Sequence, residues 1–528
     1  MFWLDRIGEE VERVLKDKID SRSLITIRDE KTASGRVHVG AMRGVALHGA
    51  LSERFTEKGI AHEFLYEIND FDAFDSLLPY IDHNTYRPYL GAPLYALPSP
   101  ESAFENYAKY FADEFIQVIK GIGVEPKIYY SSDQYKAGKY NELIDVALKA
   151  APKIREIYKR VSGSVKGGEW YPVMMVCEKC GKIATTSITG YDGAVATYVC
   201  EVRTGDVSGC GHSGTRSPFD GNAKLTWKVE WGAKFKIFND DVEGEGKDLS
   251  TKGGARDVAN HVSREVFENE PPFDIPYEFF LIGGKKMSTS KGNASSSKEV
   301  SDLLPTRIFR LALLAKDPKQ AINFDPAGDT IPVLFDLYDR LAEKYFSGVE
   351  DDETRLFMYA HTPLERKNIP KRFLPRFSQI AFIVQMPHLS LDAEVSKLKG
   401  SELTPEDADE MKLRAEYAKR WLEKAAGEEY KFSLMRDSVP EGAKNFTDAQ
   451  KRALQHVLAF VEMHQTLDGQ ELHTALHEIR KEHELDAAEF FGALYMSFLG
   501  KASGPKAGWF LSVLDRGFVR QRLAEVAR

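Results

Sequence analysis

Residues 23–44 read SLITIRDEKTASGRVHVGAMRG, and this stretch decides the fold. Residues 23–27 (SLITI) are an apolar run of strand length. The small and polar residues RDEKTASG that follow predict a loop, and the pattern from about Val39 to Lys58 predicts a helix. Gly59 stops that helix, and AHEFLYEI then alternates as a second strand. Strand, loop, helix, strand is a β-α-β unit, the opening of a nucleotide-binding α/β sheet.

Working outward, residues 102–121 predict an amphipathic helix with Phe104, Tyr107, Ala108, Phe111 and Phe115 on one side. KIYYSS reads as a strand and NELIDVALKAAPKIREIYKRV as one long helix. SGSVKGG breaks the pattern and introduces a cysteine-bearing segment of short, β-rich pieces. KLTWKVEW, AKFKIF and YEFFLIGG then read as a second strand series, so one sheet is expected to be split by a long insertion. After about residue 300 the period becomes helical, as in Leu334, Leu337, Tyr338, Leu341 and Tyr345. The 528 residues are too many for one ordinary domain.

Composition narrows the function classes. The hydrophobic fraction is 43%, ordinary for a chain with real cores. No apolar run approaches the roughly 18 residues of a membrane span. The N-terminus, MFWLDRIGEEVERVLKDK, has neither the basic start nor the apolar stretch of a signal peptide, so the cytoplasm is the expected location. A net charge of −9 argues against a protein that coats nucleic acid, but not against local recognition of a folded RNA. The basic residues between Lys501 and Arg528 read as a solvated helical face.

Three motifs carry chemistry. In Ser34-Gly35-Arg36-Val37-His38-Val39-Gly40-Ala41, glycine would let a phosphate approach free N–H groups at a helix start. His38 could donate to phosphate oxygens as charge builds. On its own the fragment is short, and a capping histidine in a tight turn fits it better. In Gly284-Lys285-Lys286-Met287-Ser288-Thr289-Ser290-Lys291-Gly292, lysine on a glycine-bounded loop is a point charge suited to a triphosphate. K-M-S-x-S-K-G is too specific for a mere basic surface loop. All four cysteines, Cys177, Cys180, Cys200 and Cys210, fall in C-x2-C-x19-C-x9-C, which suggests one structural zinc rather than disulfides. Cys210 or His212 could be the fourth ligand. No P-loop motif is present.

Together these motifs are HIGH-like and KMSKS-like elements in the order found in class I aminoacyl-tRNA synthetases. The chain resembles the class I lysyl-tRNA synthetase family, of the archaeal type, over nearly its whole length. The resemblance is carried by TASGRVHVGAMRG, YLGAPLYALPSPESAFENYAKYFADEF, QYKAGKYNELIDVAL, KLTWKVEWGAKFKIF, GEGKDLSTKGGARD, PYEFFLIGGKKMSTSKG, EEYKFSLM and LGKASGPKAGWFLSVLDRGFV. It implies a Rossmann-type parallel catalytic sheet split by a zinc-containing insertion, then an all-α C-terminal region.

The boundaries it implies are a first catalytic half at 1–90 and an insertion at 91–224. The second half follows at 225–285, a KMSKS loop and stem-contact-like region at 286–348, and a helical anticodon-binding region at 349–528. It implies ATP with Mg²⁺, L-lysine and tRNA-Lys as partners, with no membrane and no DNA. His38, Gly40 and Lys286 would be catalytic. Ser34, Met287, Ser288, Thr289 and Ser290 would join those three around ATP. Thr32, Trp227 and Tyr277 would meet lysine, with Asp70, Asp72 or Glu230 as counter-charge. Exposed aromatics in the helical region would stack unpaired bases.

The chain departs from the family at Glu30, Ala41, Leu249 and Thr289. Ser99, Ala103, Phe104 and Tyr110 also stand where relatives build an additional metal site, so a single zinc is expected. Competing readings are a glutamyl- or glutaminyl-type synthetase, a nucleotidyltransferase without tRNA, and a zinc-containing RNA-binding paralogue that has lost catalysis.

Overall fold

A computed structural model describes every residue except 202, 205–206, 287–294 and 387–388, with backbone alone at 203, 204 and 286. The first strand, β1 (Ile25–Thr32), does not end after the apolar residues as expected. It runs on through Arg28, Asp29, Glu30 and Lys31. It pairs in parallel with β2 (His62–Asn69), from Ile25 opposite His62 to Thr32 opposite Asn69. The charged half stays extended because the ladder continues beneath it and its side chains find partners on either face.

Between them, α1 (Met42–Lys58) follows one turn of 3₁₀ helix at Val39–Ala41. It stops at Gly59, as expected, and the φ of +67° there makes a left-handed cap that favours glycine. Gly44 on α1 is required by packing: a Cβ there would come within 2.7 Å of the Tyr277 hydroxyl and 2.8 Å of Asp29 Oδ2.

Three more parallel strands complete the sheet: β3 (Lys127–Tyr130), β4 (Val242–Glu243) and β5 (Phe273–Asp274). The spatial order is β5-β4-β1-β2-β3. The chain therefore winds outward from β1 in one direction through β3, then returns to the other side of β1 at β4. Such a reversal opens a crevice at the carboxyl ends of the strands.

Four expectations need correction. The long helix breaks into Asn141–Lys149 and Ala151–Ser162, with Pro152 in the first turn of the second piece. Phe104 precedes its helix, which is Tyr107–Gly121. The alternating segment KLTWKVEWGAKFKIF is mostly helical: only Ala223–Leu225 is strand, and α2 spans Trp227–Ile237. Residues Val229 to Phe235 of α2 are all buried, so the helix has no polar face to reveal its period. Finally, Phe280–Ile282 joins a separate three-stranded sheet with Lys285–Lys286 and Ile322–Phe324.

Two compact units emerge. The first comprises Met1–Phe324 with Arg340–Ile369, so the helix Asp352–Ala360 belongs to it. The second comprises Asp325–Asp339 with Pro370–Arg528 and is helical; its apolar core includes Leu454, Val457, Leu472, Leu494, Phe498 and Phe510. Capping boxes at Thr404 and Thr447 satisfy N-terminal amides of its helices Pro405–Lys424 and Asp448–Met463. Among the described residues, no helix is long and apolar enough to cross a membrane.

Candidate functional site

The crevice holds a cavity of about 260 Å³, lined by Asp29, Glu30 and Lys31 from β1, His38, Gly40 and Ala41 from the turn before α1, and Gly246, Asp248 and Tyr277 beyond. His38 and Gly40 thus meet at the carboxyl end of β1. Tyr277 is brought there by backbone pairing: its N–H donates to Glu245 O at 2.9 Å, and Lys247 N–H donates to Tyr277 O at 2.8 Å. Burial pushes its phenol well above the ordinary value.

His48, which sequence reasoning missed, links these parts. One ring nitrogen lies 3.2 Å from Asp29 Oδ2, and the other accepts the Gly244 N–H at 2.8 Å. The imidazole thus ties β1 to the glycine-flanked turn after β4. Its only sequence signal is its position four residues after Gly44, on the same helical face.

The chain directly after the lysine-loop motif pairs with the histidine motif. Lys286 pairs with Leu281 at the near foot of the loop. At the far foot Val39 N–H donates to Ser295 O at 3.1 Å, Ser297 N–H donates to Val37 O at 2.8 Å, and Ser296 bridges His38. Arg36 reinforces the junction through Glu299 at 3.0 Å and Glu114 at 2.8 Å. Met287, Ser288, Thr289 and Ser290 lie outside the described residues. Ser34 O accepts the Tyr107 hydroxyl at 3.0 Å, so Ser34 sits at the root of the motif.

The other face of β1 is ionic. Arg28, fully buried, donates to Asp240 at 2.6 Å, Glu30 at 2.9 Å and Glu67 at 3.2 Å, and pairs with Glu243. Lys234 of α2 reaches Glu30 at 2.7 Å and Glu67 at 2.8 Å. Lys224 holds Glu230 at 2.6 Å and Asp72 at 3.0 Å. Burial pushes Glu30 up, but Lys234 and Arg28 outweigh it and hold the carboxyl down to about 2. Burial pushes Asp240 up to about 8 against the pull of Arg28. This network fixes β1 against α2 and the second strand below it.

Of the three residues expected around lysine, Tyr277 alone is among the residues lining the cavity beside His38. Thr32 donates to Asp72 at 2.6 Å, at the edge of the ionic network. Trp227 is not a core strand residue: it opens α2, is 42% exposed and stacks on Trp231 at 6.2 Å and 15°. Of the expected counter-charges, Asp70 is buried, accepts from Ser132 N–H and hydroxyl at 2.8 and 2.7 Å, and is pushed up to about 6 by burial. Glu230 is enclosed by Lys224 and the Tyr135 hydroxyl. Only Asp72 keeps appreciable exposure.

The four cysteines converge: all Sγ atoms lie within 4.8 Å of one another. Cys177 and Cys210 are 3.6 Å apart and Cys180 and Cys200 3.7 Å. Tetrahedral zinc with bonds of about 2.3 Å sets sulfurs about 3.8 Å apart, so the donor set fits that ion. Backbone supports it: Cys210 N–H points at Cys200 Sγ at 3.4 Å, and a Cβ on Gly209 would clash with Glu201 O at 1.9 Å. His212 instead meets Glu178 at 2.8 Å.

The second unit has its own cavity, of about 410 Å³. Its walls include Phe382, Trp421, Tyr430, Phe432 and Trp509, with Lys506 among the polar lining. Gln385 fixes the wall by donating to Tyr430 O and accepting Phe432 N–H at 2.7 Å. Flat aromatic faces near a cation suit an unpaired base.

Comparison with known proteins agrees with this layout. The family model described as tRNA synthetases class I (K) matches residues 1–363, and that of an anticodon binding domain matches residues 384–527. A lysine–tRNA ligase of Methanosarcina barkeri is 31% identical over 545 residues, covering 99% of this chain and 97% of its own. Lysine–tRNA ligase 1 of Methanosarcina acetivorans is 30% identical, covering 100% and 98%. The lysine–tRNA ligase of Methanocaldococcus jannaschii is 31% identical, covering 99% of each chain.

Proposed function

The chain belongs to the class I (K) tRNA synthetase family, and on that premise we propose that it is a lysine–tRNA ligase acting at the crevice of His38 and Gly40. In the first step a lysine carboxylate oxygen attacks the α-phosphorus of ATP, and the bond to the β-phosphate bridging oxygen breaks. Pyrophosphate leaves and lysyl-adenylate remains. In the second step a ribose hydroxyl of the terminal adenosine of tRNA-Lys attacks the carbonyl carbon, and AMP leaves with the bonding electrons. Catalysis is positioning plus charge stabilisation.

His38 and Gly40 meet the α-phosphate, and Lys286 carries the leaving pyrophosphate, with Ser34, Met287, Ser288, Thr289 and Ser290 around the nucleotide. Mg²⁺ accompanies the triphosphate and neutralises part of its charge. Tyr277 and Thr32 border the amino acid, and the half-buried Asp72, bonded to Thr32, supplies a carboxylate beside it. Trp227 joins them only at the rim. The observation that carries this reading is the backbone pairing of residues 295–297 with 37–39, which ties the chain directly after the lysine-loop motif to the histidine motif.

Cys177, Cys180, Cys200 and Cys210 hold one structural zinc. With four protein ligands the site would leave no open position for water, so a zinc held there would be structural. The aromatic cavity of the second unit stacks an unpaired base of the tRNA. The fold of the helical unit and its match to an anticodon binding domain support that role.

Three measurements test the reading. ATP–pyrophosphate exchange is expected with lysine and not with glutamate or glutamine; exchange driven by glutamate would replace the lysine assignment. Labelled lysine should be loaded on tRNA-Lys by the wild type and far more slowly by Lys286→Ala; equal rates would remove Lys286 from the mechanism. Metal analysis should find one zinc per chain.

A further inference from the structure

The cavity beside His38 is unusual in how its charges are committed. Its acidic residues are Asp29, Glu30, Asp248 and Glu278; Glu30 is engaged by Lys234 and Arg28, and Glu278 by Lys247. Asp29 accepts the Glu30 N–H at 2.7 Å and faces His48. Lys31 is the sole lysine or arginine among the described residues lining the cavity.

Unlike those carboxylates, Lys31 makes no side-chain hydrogen bond and no ion pair within 4.0 Å among the described residues. Its neighbours Asp29, Asp72, Asp248 and Glu30 act on it only through space. Burial outweighs them and pushes its ammonium below the ordinary lysine value. The strand pleat explains the placement: Asp29 and Lys31 fall on the α1 side of β1, whereas Arg28, Glu30 and Thr32 fall on the α2 side. The half-buried Lys31 ammonium opens into the cavity, and an anion entering there could take a charge-assisted hydrogen bond from it.

We propose that Lys31 binds the α-phosphate of the nucleotide, as a second donor across the cavity from His38 and Gly40. This deepens the synthetase reading, since it names a phosphate-contacting residue within the same site. Lys31 would hold the phosphorus that lysine attacks and oppose the negative charge that grows on its oxygens. It carries no proton through the reaction and forms no covalent bond.

The test separates the phosphate from the rest of the nucleotide and needs no amino acid. Calorimetry on the full chain compares AMP with adenosine, which differ by the phosphate alone. The wild type should bind AMP more tightly than adenosine. Lys31→Met and Lys31→Gln should each lose about tenfold in AMP affinity, the value of one charge-assisted hydrogen bond, and keep adenosine affinity. Lys31→Arg should recover most of the loss, because it keeps a cation at that place.

Equal binding of AMP and adenosine by the wild type would overturn the proposal. So would an unchanged AMP affinity in the uncharged variants, or an equal loss in Lys31→Arg, which would mark a packing role. Absence of lysine-dependent exchange in the wild type, with tRNA-Lys present, would defeat the lysine assignment while leaving this AMP measurement intact.

Discussion

On the α2 side of β1, Arg28 and Glu30 are enclosed by a network in which every buried ammonium and guanidinium meets two or more carboxylates. On the α1 side, one residue along, Lys31 faces a cavity with no ion pair among the described residues, beside His38 and Gly40. The same strand thus presents one face closed by ion pairs and one that opens, at Lys31, into a cavity. Charges that neutralise one another lock the sheet to α2 and leave nothing for a ligand. Charge left over where the strands end is what a nucleotide can use. A polar residue in a strand therefore marks function only when its partners are counted, because burial alone does not distinguish the two faces.

Four measurements would break or sharpen that contrast. The largest effect is expected from Arg28→Met, which leaves several buried carboxylates without their guanidinium. Unfolding in urea should show a loss of about 3–5 kcal/mol. A loss under 1 kcal/mol would mean that the network is not what holds β1 to α2. On the other face, His38→Ala should slow lysine-dependent exchange about 10²–10³-fold, as for removal of a charge-stabilising donor, while leaving the urea midpoint near that of the wild type. A protein that unfolds as readily as Arg28→Met would erase the distinction between the faces.

The aromatic cavity of the second unit provides a third comparison, since stacking there should affect tRNA and nothing else. Phe432→Ala should raise the KM for tRNA by the equivalent of about 1–3 kcal/mol and leave ATP–pyrophosphate exchange unchanged. Unchanged tRNA dependence would remove the cavity from base recognition.

The smallest effect concerns Glu245, in the turn that His48 holds. Burial raises its carboxyl from 4.5 to about 9 against the pull of Arg256. The folded protein therefore binds a proton here that the unfolded chain releases above pH 4.5. Its contribution to stability is fully present below that pH and is lost progressively as pH rises towards 9. Glu245→Gln should flatten the decline of the unfolding free energy between pH 6 and pH 7 by about 1.4 kcal/mol. An identical decline in both proteins would show that the carboxyl is ionised throughout.

How much was legible depends on the kind of signal. The β-α-β opening was readable because Gly59, the apolar run of β1 and the helical period of α1 are local features. The cysteine cluster was readable because metal-ligand spacing is local within each knuckle. The helix α2 was not. Trp227, Val229, Trp231, Ala233, Phe235 and Ile237 alternate as a strand would, and the intervening Glu230 and Lys234 look solvent-facing. They are buried in ion pairs with β1, β2 and the segment at Lys224, so their polarity carried no information about exposure.

The site divides in the same way. His38, Gly40 and Lys286 stand in motifs whose residue order can be read directly. His48 had no motif, because its role depends on Asp29 and Gly244, which lie far apart along the chain. Thr32 and Trp227 carry no motif of their own either: the strand pleat turns Thr32 to Asp72, and the helix phase sets Trp227 against Trp231, whereas Tyr277 lines the cavity of His38.

By itself, then, the amino-acid order determined the opening α/β unit, the metal-binding spacing, the helical C-terminal region and the synthetase motifs, because turns, periods and ligand spacings act over a few residues. Tertiary structure alone decided which charges are spent on one another and which face the cavity. That follows from physics: an ion pair joins residues hundreds of positions apart, and whether a lysine is scaffold or ligand-binding depends on the carboxylate that folding does or does not bring to it.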